Sequence, residues 1–293
     1  MRHAGDRARV VQPRRRRVSA QAEVDDGDCQ CRNEPAGSRV AVPVTGESAL
    51  NRILQPGGIT PVYQPVVRSK NGTVETFGLE CLSRGPKGSN FEQADVLFEY
   101  VRLKREESLV DRACISEALR GARMLPGALR LGINVHASTL GRDHGFINFL
   151  RKTVEAAQID VRRLTVEIVE HAPPWDGVSF LAAIEQLRKL GAQIAVDDVG
   201  LGQSNFKMLL DVSPDYLKLD RYFVDGCAID PRRRSVIGAI RQLAADSHAH
   251  LIAEGVEKPE DAQCLQSLGV TLMQGFLYSK PLTLDAVREY LAA

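Results

Sequence analysis

Apolar and polar positions along this chain follow two alternating periods. Short apolar runs rich in Val, Ile and Leu, the pattern of buried strands, recur at 130–135, 163–168, 192–197, 215–219, 250–254 and 271–275. Between them, apolar residues return every three or four positions, as on a helix with one buried face, at 145–157, 178–190, 204–210, 232–247 and 259–268, with a last such stretch at 283–292. Two earlier helical stretches, 92–103 and 108–123, precede the first of these strands. Two more strands open the pattern, at about 60–69 and 74–84, separated by Lys70-Asn71-Gly72. Asn-Gly between strands signals a tight antiparallel hairpin.

Eight strands with helices between most of them predict a closed α/β barrel. A two-residue turn cannot join parallel strands, so the hairpin makes one strand antiparallel. The expectation is a TIM-like (β/α)8 barrel with one antiparallel strand from an N-terminal β-hairpin. The alternative, an open doubly wound sheet, usually carries a glycine-rich phosphate turn after its first strand, and no G-x-G-x-x-G stands here.

Residues 1–46 break the pattern. They hold Arg14-Arg15-Arg16-Arg17, an acidic patch at Asp25-Asp26-Gly27-Asp28 and little periodic apolar content, so they read as a poorly ordered tail ahead of a barrel domain at 47–293. The arginines as an anion contact, and Cys29 with Cys31 as a metal pair, are the sharper but weaker readings. Over the 293 residues, 26% are charged and the net charge is +1, which gives no bulk attraction to nucleic acid or membrane. The six cysteines form no disulfide framework and no secretory signal is evident, so a cytoplasmic location is expected. Cys81, Cys114 and Cys264 fall in apolar patterns and read as small core residues. No apolar run reaches the roughly 18 residues of a membrane span.

The strands carry an anomaly. Six strand-like segments end on a charged or amide side chain: Glu80, Asn134, Glu167, the pair Asp197-Asp198, Lys218 and Glu254. Burying an unpaired charge is costly, so a series of them implies one shared rim where strand ends converge on a positive group. Four carboxylates and an amide oxygen (Glu80, Glu167, Asp197, Asp198, Asn134) form a hard-ligand set suited to Mg²⁺ or Mn²⁺. The adjacent aspartates fit two ions sharing a bridging carboxylate, and two such ions can clamp the attacking and leaving oxygens of a phosphodiester. Lys218 reads either as a rim lysine paired with an acid or as an ammonium that orients water or stabilises phosphate charge. Glu254 is a metal ligand or a general base, and Glu257 supports the site or caps the following helix. Arg84 reaches a phosphate oxygen or closes a rim salt bridge. Trp175 reads as a packing or partner residue. The histidines show no zinc spacing, and Ser138 and Ser204 lack a base placed by motif.

From Tyr63 to Leu282 these segments resemble the EAL-domain family of cyclic di-GMP phosphodiesterases. Tyr63-Gln64-Pro65 is similar to its opening Y-Q-P, and Glu80-Cys81-Leu82-Ser83-Arg84 to its E-A-L-x-R. Asn134-Val135-His136, Val166-Glu167-Ile168-Val169-Glu170 and Asp197-Asp198-Val199-Gly200-Leu201-Gly202 follow in order, then Asp215-Tyr216-Leu217-Lys218-Leu219-Asp220, Ala253-Glu254-Gly255-Val256-Glu257 and Gln274-Gly275-Phe276. The resemblance implies hydrolysis of cyclic di-GMP to linear pGpG with two Mg²⁺ or Mn²⁺ ions, calcium being inhibitory, and a homodimer built through the barrel. It implies Glu80, Asn134, Glu167 and Asp197 as metal ligands, with Asp198 and Glu254 completing a second site. Lys218 would assist the water, Gln64, Arg84 and Gln274 would contact substrate, and Glu170 would brace the loop after Asp198. The loop departs from the family pattern: Val199, Leu201 and Gln203 replace a phenylalanine, a threonine and a usual tyrosine, and Val169 and Lys280 replace a threonine and an arginine. Two other readings stay open: a catalytically weak or inactive cyclic di-GMP receptor acting through a partner, and a metallohydrolase of another phosphodiester.

Overall fold

In the computed structural model, which describes residues 48–70, 72–169, 177–200 and 205–293, a short helix α1 (Ala49–Leu54) leads into the hairpin. Strand β1 (Thr60–Lys70) runs antiparallel to β2 (Thr73–Arg84), and Gly72 turns the chain between them with a φ of 81°. That left-handed conformation suits glycine, because a side chain there would crowd the backbone. Helices α2 (Ala94–Lys104) and α3 (Glu107–Ala122) follow. Then come β3 (Arg130–His136), α4 (Ala137–Arg142), α5 (Phe146–Ala156), β4 (Leu164–Val169), α6 (Gly177–Leu190), β5 (Gln193–Val199) and α7 (Asn205–Val212). The chain finishes with β6 (Tyr216–Leu219), α8 (Arg221–Val224), α9 (Pro231–Asp246), β7 (His250–Ala253), α10 (Pro259–Ser267), β8 (Leu272–Gln274) and α11 (Leu284–Ala292).

Among the described residues the eight strands close into one barrel in sequence order. β1 is antiparallel to both β2 and β8, and every other neighbouring pair is parallel. The hairpin expectation therefore holds. The helices start where their caps allow. Asp230 accepts the Arg232 amide at 2.9 Å ahead of Pro231, which needs no amide partner in the first turn of α9. Helices α1, α4 and α8 lie outside the expected pattern, since each is too short to repeat an apolar period.

Strand periodicity sorts the barrel interior into layers. Successive side chains point to opposite faces, so residues two apart share one. Val66, Ala195, Tyr216, Ile252 and Leu272 pack together inside the barrel with Phe77 against them. One alternation beyond this apolar floor, toward the C-terminal ends of the parallel strands, stand Gln64, Asp197, Lys218, Glu254 and Gln274. Glu80, Asn134 and Glu167 stand likewise beyond Gly78, Gly132 and Thr165. The outer faces of the strands pack on the helices through Leu131, Ile133, Val166, Ile168, Ile194 and Leu217, all buried.

Cys81 and Cys114 are buried as expected, whereas Cys264 is partly exposed on α10. No helix among the described residues is long and apolar enough to cross a membrane. The tail 1–46 with Cys29 and Cys31, Glu170, His171, Trp175 and the loop residues Leu201, Gly202, Gln203 and Ser204 lie outside the described residues.

Candidate active site

Lys218 is the centre of the upper layer. It is 1% exposed and its Nζ lies 2.5 Å from Glu167 Oε2, 2.7 Å from Glu254 Oε1, 3.4 Å from Glu80 Oε1 and 3.6 Å from Asp197 Oδ2. Strand register brings these groups together: Glu80 pairs with Gly132, Asn134 with Glu167, Glu167 with Ala195, and Lys218 with Ile252. Burial alone would strip the proton from Lys218, but Asp197, Glu167, Glu254 and Glu80 hold its pKa well above the usual lysine value. It is a fixed ammonium.

Amides complete the ring around Glu80. Asn134 Nδ2 donates to Glu80 Oε1 at 2.8 Å, and Gln274 Nε2 donates to Glu80 Oε2 at 2.6 Å and to Gln64 Oε1 at 3.0 Å. Gln64 Nε2 in turn donates to the Ser279 carbonyl at 3.0 Å. Burial would raise the Glu80 carboxyl, but Lys218 and the two amide donors bring it below its ordinary value.

The remaining carboxylates are under-compensated. Burial first, then repulsion from Glu80 and Asp197, pushes Glu167 up to about 8 against the pull of Lys218. Desolvation and the neighbouring Asp197 and Asp220 push Asp198 up to about 6. Desolvation with Asp197 and Glu80 raises Glu254 well above the carboxylate range. Five acids thus share one lysine.

Two further observations fit this donor set to divalent cations. Oxygens of Asp197, Asp198 and Glu254 come within 4.8 Å of one another. The Asn134 Oδ1, buried in the same mouth, has no hydrogen-bond partner, a costly arrangement for a carbonyl that a cation would complete. The backbone supports the aspartate pair: Asp198 takes a left-handed φ of 52°, and its amide donates to Asp197 Oδ1 at 2.9 Å. Gly200 follows at a φ of 103°, where an added Cβ would meet Phe223 Cε2 at 2.8 Å. That conformation suits glycine and little else.

Two cavities open on the ring. One, about 290 Å³, is lined by Gln64, Glu80, Asp220, Glu254, Gln274 and Phe276. The other, about 390 Å³, reaches from Glu80, Asn134 and Asp197 to Phe98, Arg102 and His136. The structure thus gathers Glu80, Asn134, Glu167, Asp197, Lys218, Glu254, Gln64 and Gln274 directly, with Asp198 beside them. Arg84 ends β2 half-buried, on the same strand face as Glu80, outside the bonds described above. Glu257 does not cap α10, whose N-cap is Lys258. Its Oε1 instead meets Arg221 Nη1 at 2.9 Å, holding the edge of the mouth.

Sequence reasoning missed Gly132. A Cβ there would lie 1.9 Å from Glu167 Oε1, so the missing side chain is the space Glu167 occupies. A glycine inside a strand is a sequence signal for such an approach. It also missed Asp111, buried behind the larger cavity, which accepts from the Thr139 hydroxyl at 2.6 Å and the His136 amide at 3.0 Å. Its Oδ1 lies 2.7 Å from His136 Nδ1.

The sequence model of one family, described as the EAL domain, matches residues 47–281. A Pseudomonas aeruginosa protein named cyclic di-GMP phosphodiesterase NbdA is 30% identical over 260 residues, covering 84% of this chain and 32% of that protein. The chain spans half or less of the length of the curated relatives it matches. A standalone EAL protein from Vibrio cholerae, solved with c-di-GMP bound, superposes with a TM-score of 0.70 at 26% identity, covering 78% of this chain and 94% of that one. The manganese and cyclic di-GMP complex of Klebsiella pneumoniae BlrP1 gives a TM-score of 0.67 at 26% identity, with 78% and 57% covered.

Proposed function

The chain belongs to the EAL domain family, and from that premise we propose that it is a metal-dependent phosphodiesterase hydrolysing cyclic di-GMP to linear pGpG. The observation that carries this reading is the ring itself: four acidic side chains around one buried lysine, with Asp198 beside them and an orphaned amide oxygen, at the strand ends of a closed barrel. The cavities on either side of Glu80 suit a ligand with two bases flanking a central phosphodiester.

Glu80, Asn134, Glu167 and Asp197 would hold one Mg²⁺ or Mn²⁺, and Asp198 with Glu254 would complete a second site. Such ions supply positive charge that offsets the phosphate and makes water more acidic. The rest is done by the protein. Lys218 would donate to the attacking water or a phosphate oxygen. Glu254 in its ionised form would accept the water's proton. Gln274 Oε1, buried without a partner, offers an acceptor to substrate, and Gln64 fixes its orientation. Arg84 would bind a phosphate oxygen from the rim. Glu170 would brace the loop after Asp198, and Glu257 supports the mouth through Arg221. The reading extends to a cytoplasmic homodimer.

The test is a hydrolysis assay of the full chain on cyclic di-GMP with Mg²⁺, Mn²⁺ and Ca²⁺ in parallel. pGpG should form with the first two and be suppressed by the third. Lys218→Met should cut turnover by roughly 10²–10³-fold, as loss of a charge-stabilising donor does. Tight binding with no product under either metal would overturn the catalytic reading and leave a receptor.

A further inference from the structure

Two cysteines come together where the segment after β6 packs on α10. Cys227 sits in the turn between α8 and α9 and is fully buried, while Cys264 on α10 is partly exposed. Cys264 Sγ lies 3.4 Å from the Cys227 carbonyl oxygen, and Cys227 Sγ lies 3.7 Å from the Asp261 carbonyl oxygen, so each sulfur is held against the backbone of the other's segment.

The approach is held in place from both sides. The buried Asp261 carboxylate accepts the Gly226 amide at 3.0 Å and the Ala228 amide at 2.9 Å, the residues flanking Cys227. Arg234 donates to the Cys227 carbonyl at 3.2 Å and to the Ala228 carbonyl at 2.9 Å. The turn carrying one thiol is therefore pinned to the helix carrying the other. Nothing in the proposed hydrolysis uses either sulfur.

We propose that Cys227 and Cys264 form a reversible oxidation site that closes to a disulfide under a hydroperoxide. Cys264 meets the oxidant first, because it reaches solvent. Cys227, fully buried, is shielded from the oxidant and meets only the oxidised Cys264 sulfur beside it. The Cys264 sulfur attacks one oxygen of hydrogen peroxide, the O–O bond breaks, and the departing hydroxide takes the thiol proton as water, leaving a sulfenic acid. The Cys227 sulfur then attacks the Cys264 sulfur, the S–O bond breaks, and a second water leaves with the Cys227 proton. Two thiols lose two hydrogens and two electrons, and one peroxide becomes two waters.

The bond would close a loop between positions 37 residues apart. It would also make covalent a junction now held by polar contacts. Lys258 Nζ meets Asp225 Oδ1 at 2.8 Å, and Arg221 Nη1 meets Glu257 Oε1 at 2.9 Å, across the same two segments. Those segments follow β6, which carries Lys218, and β7, which ends just before Glu254.

The experiment treats the folded full chain with hydrogen peroxide, blocks free thiols, digests without reductant and maps the peptides by mass. The expected product joins the Cys227 and Cys264 peptides with the loss of two hydrogens and reverts with dithiothreitol. The oxidised chain should melt several degrees higher than the reduced one, as closing a loop of this length does. In Cys227→Ser the unresolved Cys264 should run on to sulfinic acid, which wild type resists. Cys264 overoxidised in wild type, both thiols left free, or Cys264 joined to another cysteine would each overturn the proposal. The mapping requires no turnover, so its outcome is independent of the proposed hydrolysis.

Discussion

At the scale of single residues, the tightest constraint on the mouth is an absent side chain. Gly132 on β3 faces Glu167 on the neighbouring β4, and a Cβ would come within 1.9 Å of Oε1 and 2.9 Å of Cδ. Its φ is not positive, so alanine meets no backbone obstacle there. The strain would fall on Glu167 and its 2.5 Å contact with Lys218. Gly132→Ala should therefore fold, at a cost of about 1–3 kcal/mol for overpacking. On the proposed function, turnover of cyclic di-GMP should fall about 100-fold, the usual penalty for an ångström's displacement at a reacting centre. Initial rates with Mn²⁺ beside a thermal melt check this, and wild-type turnover would mean that Glu167 has room to spare. The strand-end acids were legible in the sequence because a charge at the end of an apolar run has no structural use there. Gln64 and Gln274 entered only through resemblance, since an uncharged amide in a strand is energetically unremarked until its partners are known. Gly132 sat in plain view within Leu131-Gly132-Ile133, yet the carboxylate that needs its space comes from another strand.

At the scale of elements, the helices that the apolar period missed are held by side chains from distant segments. Asp143 follows α4 and binds Arg112 of α3 twice, at 2.8 and 2.7 Å. It also accepts from the Ser108 hydroxyl, and from the Gly145 amide at 3.0 Å before α5. Arg112 further lies over the Phe149 ring at 4.9 Å. One carboxylate thereby ties together α3, α4 and α5. No spacing rule announces the pairing, because Arg112 and Asp143 stand 31 positions apart. Partial burial would raise its pKa, but Ser108 and Arg112 bring it below the ordinary aspartate value. A depressed carboxyl contributes stability above its unfolded pKa, about 3.9, and loses it as pH falls through the lower folded value. Asp143→Asn should cost about 1.5–3 kcal/mol at pH 7, the range for charged hydrogen bonds. That deficit should narrow as pH drops below about 3.9. Urea unfolding of both chains at pH 7 and pH 3 measures it, and an equal deficit at both values would assign the loss to shape rather than charge.

At the scale of the whole molecule, barrel closure creates the charge problem that defines the site. The Asn71-Gly72 turn and the strand count were enough to foresee a closed barrel with one reversed strand. The distances that closure imposes were not readable, because each acid looks harmless on its own strand. Once assembled, Glu167, Asp198 and Glu254 are held above their ordinary pKa values, chiefly by desolvation, while Glu80 is held below its own. A carboxyl raised by folding binds its proton more tightly in the native state, so its stabilisation is complete below the unfolded value and drains away as pH rises through the folded one. For Glu167 that window runs from 4.5 to about 8. In a chelator, the wild-type melting temperature should therefore fall relative to Glu167→Gln as pH climbs from 5 to 8. Mn²⁺ or Mg²⁺ should reverse the loss, since a ligand that binds only the native state adds about 2.7 kcal/mol at 100 times its Kd. The metal-induced rise should be larger at pH 8, where the carboxylates no longer need to shed a proton to receive the ion. Melting curves with and without Mn²⁺ at both pH values decide it: if the rise is the same at pH 5 and pH 8, or is kept in full by Glu167→Gln, these carboxylates are not what the cation compensates.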